Sequence, residues 1–445
     1  MGGIGVSGIR QRIPRAALLV VAAAALPRLA ALALERDEIL EEYVEKSDTF
    51  ATTLVASGTF GFLPEVPSAY TQPLYAWFLA ALYWPLERSW VVVGLAQVLL
   101  AVATALVVFL IGRRLASTRI GVLAALVTTL HPYVVWHDVH VNREILDGLL
   151  AALVVLLALA ARERLQITRC NLRDPRTTTL ALGLGAVSGL AILSNTRLVL
   201  LPLVLAAYVA WRVGSGGRSV AAVALVVLAA AAVIAPWIVR NDIVIGCPTI
   251  TTDTRALWKA NNPETYDVLA RGGWIDDVPD LPGVPPWPER AAAISIEAAI
   301  AVDECEQAAF YRDEVVDFWQ DEPGEKARLA VQAAGMLWTP VLSVEADESG
   351  QQGLAGLAQR TVEPAYVVVL YALALWGAFL APRRFVALAA VLLGLSTLLA
   401  MIFAGTVRYR VPWDFLLAVL AAFALERAWR LVRERRPPAA TSASR

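Results

Sequence analysis

Runs of about twenty residues with almost no charge recur along the whole sequence. No other feature limits the possible folds as sharply. The runs fall at 16–34, 90–112, 119–136, 145–161, 178–194, 196–212, 219–239, 362–381, 384–403 and 409–426. A helix needs about 20 mostly apolar residues to cross the hydrocarbon of a bilayer. The chain therefore reads as an all-α integral membrane protein with about ten to twelve transmembrane helices. The higher count includes two shorter pieces, 73–86 and 329–342, which are either interfacial or short membrane helices. Composition agrees, with 58% hydrophobic and 17% charged residues, against about 45–50% and about 25% in soluble domains. The first run follows a basic N-terminus, as in a signal peptide. No cleavage site precedes the acidic segment after it, so it reads as a retained span.

Charge between the spans sets the orientation, because Lys and Arg accumulate on the cytoplasmic side. Arg10, Arg12 and Arg15 precede the first span, and Arg113, Arg114 and Arg119 follow the second. Arg162, Arg164, Arg169, Arg173 and Arg176 follow the fourth, and Arg427, Arg430, Arg433, Arg435 and Arg436 follow the last. Both termini are expected in the cytoplasm, with 437–445 a disordered tail. Segments 35–72 and 240–361 then lie outside, between an N-terminal membrane region (1–239) and C-terminal membrane helices (362–436). The second outer segment carries sixteen acids between Glu264 and Lys326, against only Arg271, Arg290, Arg312 and Lys326 as cations. Its AAAISIEAAIAVDECEQAAFYRDEVVDFWQDEP stretch has helical periodicity and good helix formers, which predicts a small helical outer subdomain. Cys247 and Cys305 both fall in it. On an oxidising face they form either a disulfide or two separate thiols.

Three sets of residues carry candidate chemistry. In the first outer loop, Glu38, Glu41, Glu45 and Asp48 follow helical spacing. Glu38, Glu41 and Glu42 read as a solvated acidic face. Asp48 sits where Ser47 would cap a helix that turns apolar beyond it, so its carboxylate is the candidate general base or cation ligand. The second set is HPYVVWHDVHVNREILDGLL, which holds all three histidines of the chain. On one continuous helix His137, His140, Glu144 and Asp147 share a face. That stripe is either a divalent-cation site or a set of interfacial polar groups opening a helix, and Glu144 is its strongest functional candidate. The third set is cationic and runs against the positive-inside bias: Arg197, Arg240, Lys259, Arg408 and Arg410. These groups suit a phosphate; the alternatives are pairing with outer acids or reaching toward headgroups. There is no Walker loop, dinucleotide fingerprint, HExxH or GxSxG, and no basic face for nucleic acid.

Taken together, SDTFATTLVASGTFGF, PSAYTQPLYAWFLA, HPYVVWHDVHVNREILDGLL, APWIVRNDIVIG, WKANNP and RYRVP resemble, in order and placement, the polytopic GT-C glycosyltransferases. The resemblance is in particular to the glycosyltransferase family 39 group, which includes protein O-mannosyltransferases and aminoarabinose transferases. The resemblance implies a plasma-membrane enzyme that moves a sugar from a polyprenyl-phosphate carrier to a glycan, lipid or protein acceptor at the outer face. It implies Asp48 and Glu144 as catalytic carboxylates and Arg197, Arg240, Lys259, Arg408 and Arg410 around the carrier phosphate. It also implies His137, His140 and Glu144 as the neighbourhood of a divalent metal, where one is used. A transporter or flippase of lipid-linked sugars is the alternative, although such proteins gather ionisable groups near the midplane and here they gather at the outer mouths. The enzyme reading expects Asp48, Glu144 and Arg240 to line a single outer cavity.

Overall fold

The computed structural model describes residues 7–41, 44–168, 171–211, 216–340 and 353–434. In chain order the first helices are α1 (Ser7–Glu35), α2 (Lys46–Ser57), α3 (Pro73–Leu86), α4 (Trp90–Leu115) and α5 (Thr118–Thr129). Then come α6 (Pro132–His137), α7 (Glu144–Thr168), α8 (Pro175–Ser194), α9 (Leu201–Ala210) and α10 (Gly216–Val244). Six shorter or amphipathic helices follow: α11 (Arg255–Lys259), α12 (Thr265–Ala270), α13 (Pro288–Ile294), α14 (Ile296–Ile300), α15 (Glu304–Asp321) and α16 (Pro323–Trp338). The chain then continues through α17 (Gly353–Ala378), α18 (Arg383–Ile402), α19 (Val407–Arg410) and α20 (Asp414–Glu434). The expected tail, 437–445, lies outside the described residues.

Among the described residues, seven helices are long and apolar enough to cross a membrane: α1, α4, α7, α8, α10, α17 and α18. The other three apolar runs take different forms. The run at 119–136 stops at Thr129 and restarts at Pro132, because the residue before a proline is pushed out of the helical region. The run at 196–212 opens as a 3₁₀ turn, Thr196–Leu200, before the ten residues of α9. The run at 409–426 becomes α19, a further 3₁₀ turn and α20, whose C-terminal half carries Glu426, Arg427 and Arg430.

The bundle is built around two packed groups. Helices α7, α8 and α10 pack together, with α9 against them, while α4, α5, α17 and α20 form the other group. Helix α20 sits at the centre, and every residue from Asp414 to Ala422 is buried. Small residues allow the close crossings: a Cβ on Gly377 of α17 would fall 1.8 Å from the carbonyl oxygen of Leu420. In the first outer segment α2 packs on α3. Gly58, at φ +77°, ends α2 in the left-handed conformation that glycine adopts at no steric cost. Between α10 and α17, α11 packs on α15, α12 on α16 and α13 on α14. Trp258 of α11 packs with Tyr311 and Val315 of α15, and Cys247 and Cys305 are joined in a disulfide. Helix α16 lies along α18 and α19 and docks the subdomain on the bundle.

Candidate active site at the mouth of the bundle

Three separate segments bring charged side chains to one place. Glu45 is the residue that leads into α2, and its extended backbone (φ −64°, ψ 149°) turns the side chain out of the helix. Its amide donates to the Val141 carbonyl at 3.2 Å, which ties the first outer loop to the turn before α7. Glu144 opens α7, Arg143 precedes it, and Arg408 lies in α19. The Arg408 guanidinium donates to both Glu45 and Glu144 through short contacts. Arg143 lies 3.9 Å from Glu45 and donates to Gln72 Oε1 at 2.7 Å. Burial opposes charge on Arg408, yet Glu144 and Glu45 outweigh it and hold its pKa above the ordinary value. Arg143 behaves the same way, with Glu45, Glu144 and Asp147 outweighing its burial. The result is a fixed, largely dry array of alternating charges, in which low dielectric makes each group a strong electrostatic partner.

Two features extend this array. One turn along α7, Asp147 is buried and accepts from Ser194 Oγ and from Asn195 Nδ2. Beside Asn195, the Arg197 guanidinium stacks 3.5 Å from the centre of the Tyr409 ring, next to Arg408 in sequence. Among the described residues no carboxylate lies within ion-pairing distance of Arg197. It stands at the head of a cleft lined by Leu198, Leu392, Leu395, Leu399 and Trp413. The mouth therefore joins a carboxylate pair, a shared arginine, a second arginine without an acid partner and an apolar cleft.

The other sequence candidates lie elsewhere. Asp48 is buried in α2, but it accepts from Tyr83 at 2.5 Å and pairs with Arg88 at 2.9 Å, so it anchors α2 to the end of α3. Arg240 donates to the carbonyls of Ser68 and Phe60 and to Asn241 Oδ1, so it clamps the first outer loop. The expected convergence of Asp48, Glu144 and Arg240 is not what the contacts show. Among the described residues the contacts join Glu144 to Arg408, and through it to Glu45. Lys259 is buried against the carbonyls of Asp276 and Val278 and pairs with Asp280 at 3.2 Å. Arg410 is buried against Asp414 at 3.1 Å and the carbonyls of Leu337 and Thr339. Both are structural ties of the outer subdomain, and their positive charge is already compensated.

The histidine stripe also takes another form, because the helix breaks inside it. Helix α6 ends at His137, and Asn142 Nδ2 donates to the freed His137 carbonyl at 2.9 Å. Gln97 Nε2, from α4, holds the carbonyls of Asp138 and His140 at 3.0 and 2.8 Å. His137 stacks on Tyr133, and His140 Nδ1 lies 2.9 Å from the Trp136 carbonyl. Among the described residues no group of three or more His, Cys, Asp or Glu side chains is placed to hold a metal ion. His137, His140 and Glu144 therefore do not fit the expected metal site.

Comparison with known proteins follows the same lines. Residues 67–239 match the model of the family described as dolichyl-phosphate-mannose-protein mannosyltransferase. Among solved structures, the archaeal oligosaccharyltransferase AglB from Archaeoglobus fulgidus, in complex with an inhibitory peptide and a dolichol-phosphate, is similar at a TM-score of 0.52 and 12% identity. The match covers 95% of this chain and 52% of that one, so the chain spans about half the length of the oligosaccharyltransferase. ArnT from Cupriavidus metallidurans, bound to undecaprenyl phosphate, aligns at 15% identity and a TM-score of 0.38, over 98% of this chain and 82% of that one. No curated protein matches the chain in sequence. The likeness to the oligosaccharyltransferase shows the fold that the two chains share. The resemblance read from the sequence to the protein-mannosyltransferase group is borne out by the family match over 67–239.

Proposed function

We propose that the protein is a membrane glycosyltransferase that takes a sugar from a polyprenyl-phosphate donor at the outer face, with the array at the bundle mouth as its active site. The observation that supports this most is the position of Arg408. It is shared by Glu45 and Glu144, and it sits next to Tyr409, on which Arg197 stacks at the head of an apolar cleft. A polyprenyl-phosphate sugar needs those surroundings: an apolar wall for the isoprenoid and cations for a phosphate leaving group. Carboxylates are needed for the proton of the acceptor.

In this reading Arg197 and Arg408 hold the carrier phosphate. The acceptor oxygen or nitrogen bonds to C1 of the sugar as the C1–O bond to phosphate breaks. The phosphate leaves with the bonding electron pair, and the two arginines stabilise that charge. The acceptor proton passes to a carboxylate within hydrogen-bond reach. Glu45 is the best placed, because phosphate drawn to Arg408 competes with it for the guanidinium. Glu144 keeps Arg408 oriented. The active site faces outward, both termini face the cytoplasm, and the acceptor is a glycan, lipid or protein.

Two measurements test the reading. Undecaprenyl phosphate alone should bind the purified protein in nanodiscs, and Arg197→Ala should weaken that binding about tenfold or more, the loss of one charge-assisted contact. With polyprenyl-phosphate mannose as donor and native membranes as acceptor source, Glu45→Gln and Glu144→Gln should each slow release of polyprenyl phosphate by about 100-fold or more. Wild-type release in both variants would sink the proposed site.

A further inference from the structure

The outer subdomain reaches Glu45 through its neighbour in sequence. Lys46 Nζ donates to Asp253 Oδ2 at 2.9 Å, and the same ammonium lies 4.5 Å from the centre of the Tyr70 ring. Asp253 belongs to the short segment between α10 and α11. That segment is held from both sides. The Thr252 amide donates to the Ala69 carbonyl at 3.0 Å, and the Thr252 hydroxyl donates to Glu304 Oε2 at 2.7 Å. The same Glu304 oxygen accepts from the Ala69 amide at 2.9 Å. Glu304 precedes Cys305, which is bonded to Cys247 at the start of the segment. Asp253 Oδ1 accepts from the Ala256 amide, which fixes the carboxylate at the entrance of α11.

We propose that Lys46 and Asp253 are positioning residues for transfer: the outer subdomain, stapled by Cys247–Cys305, holds Lys46 and through it sets the direction of the Glu45 carboxylate. The proposal rests on the reading of Glu45 as the group that takes the acceptor proton. Consecutive residues at a helix entrance share one backbone geometry. Anchoring the Lys46 ammonium on Asp253 therefore fixes the φ and ψ that turn Glu45 toward Arg408. Without that anchor the Glu45 side chain keeps its pairing with Arg408 and the more distant Arg143, beside the backbone bond to Val141, and the pairing with Arg408 is the one that donor phosphate displaces. The subdomain acts on the rate of the step and leaves the donor seat unchanged, because among the described residues no hydrogen bond or ion pair joins Asp253 to Arg197 or the cleft.

The test compares kinetics in Asp253→Asn, Lys46→Met, their combination and the exchanged pair Lys46→Asp/Asp253→Lys, with polyprenyl-phosphate mannose as donor. Each single variant should lower kcat about tenfold or more and leave KM for the donor within about twofold, since displaced catalytic groups cost turnover. The double variant should be no worse than either single one, because both remove the same contact, and the exchanged pair should recover most of the rate. Hydrogen exchange provides a readout independent of activity: the Glu45 amide should lose protection in Asp253→Asn while α7 and α8 keep theirs. Wild-type kcat in both single variants, or additive losses with no recovery in the exchanged pair, would overturn the proposal. Glu45→Gln separates the two readings. If it transfers at the wild-type rate, the reading of Glu45 as the group that takes the acceptor proton fails. If it is inactive while Asp253→Asn is fully active, only the positioning role fails.

Discussion

At the scale of single residues, whether a charge already has a partner decides its role. Asp48 and Glu45 are three positions apart, yet Asp48 is closed off by Tyr83 and Arg88 while Glu45 shares Arg408 with Glu144. Asp48→Asn should therefore act on folding, costing about 1–3 kcal/mol for a buried charged group that loses its partner. That cost should appear as a lower melting temperature, with turnover per folded molecule retained. An inactive variant with an unchanged melting temperature would return the catalytic role to Asp48. The sequence made Glu144 and Arg408 legible, because a charge at the outer end of an apolar run has few structural uses. It did not separate Glu45 from the other acids of its run, because only the tertiary position of Arg408 does that. Lys259 and Arg410 looked alike on paper for the same reason. Each is neutralised by an acid, Asp280 or Asp414, whose proximity is a fact of packing in one case and of one helical turn in the other.

At the scale of elements, the sequence pattern located most helices closely and failed at their interruptions. The predicted piece at 73–86 is α3 residue for residue. The histidine stripe failed because periodicity assumes an unbroken helix. Here Asn142 takes a local backbone carbonyl, Asp138 is paired with Arg28 of α1, and Gln97 from another helix holds the carbonyls the turn exposes. The contact between α16 and the loop after α18 is another case of local backbone requirement. A Cβ at Gly405 would fall 1.6 Å from the Ala333 carbonyl oxygen. Gly405→Val should push α16 off the bundle. Limited proteolysis should then cut the outer subdomain at protease levels that leave the wild type intact, and melting should fall by about 1–3 kcal/mol or more, the usual cost of overpacking.

At the scale of the whole molecule, the outer subdomain and the bundle are held together by ion pairs as well as by packing. Burial disfavours charge on both Lys46 and Asp253, but the attraction between them wins. Asp253 is held below its ordinary pKa of 3.8, and Lys46 is held above its ordinary 10.5. A lowered carboxylate contributes stability that is present above its unfolded value and is lost as pH falls through the folded one. A raised lysine contributes stability that is present below its unfolded value and is lost as pH rises through the folded one. Docking of the subdomain should therefore be flat from about pH 5 to about pH 9 and should loosen in acid, as read by the onset of proteolysis in residues 240–340. Asp253→Asn should remove that acid dependence; an identical acid profile in the variant would assign it to another group.

The buried course of α20 has a consequence for how the molecule is made. A ribosome delivers the chain from its N-terminal side, so Glu45 and Glu144 enter the membrane long before Arg408 and Arg410, and the helix that fills the centre of the bundle arrives after every helix around it. Until then α5 and α17 face a gap, and two acids sit near each other without the cation that reconciles them. The same late event thus seals the bundle and brings the shared arginine to the two acids.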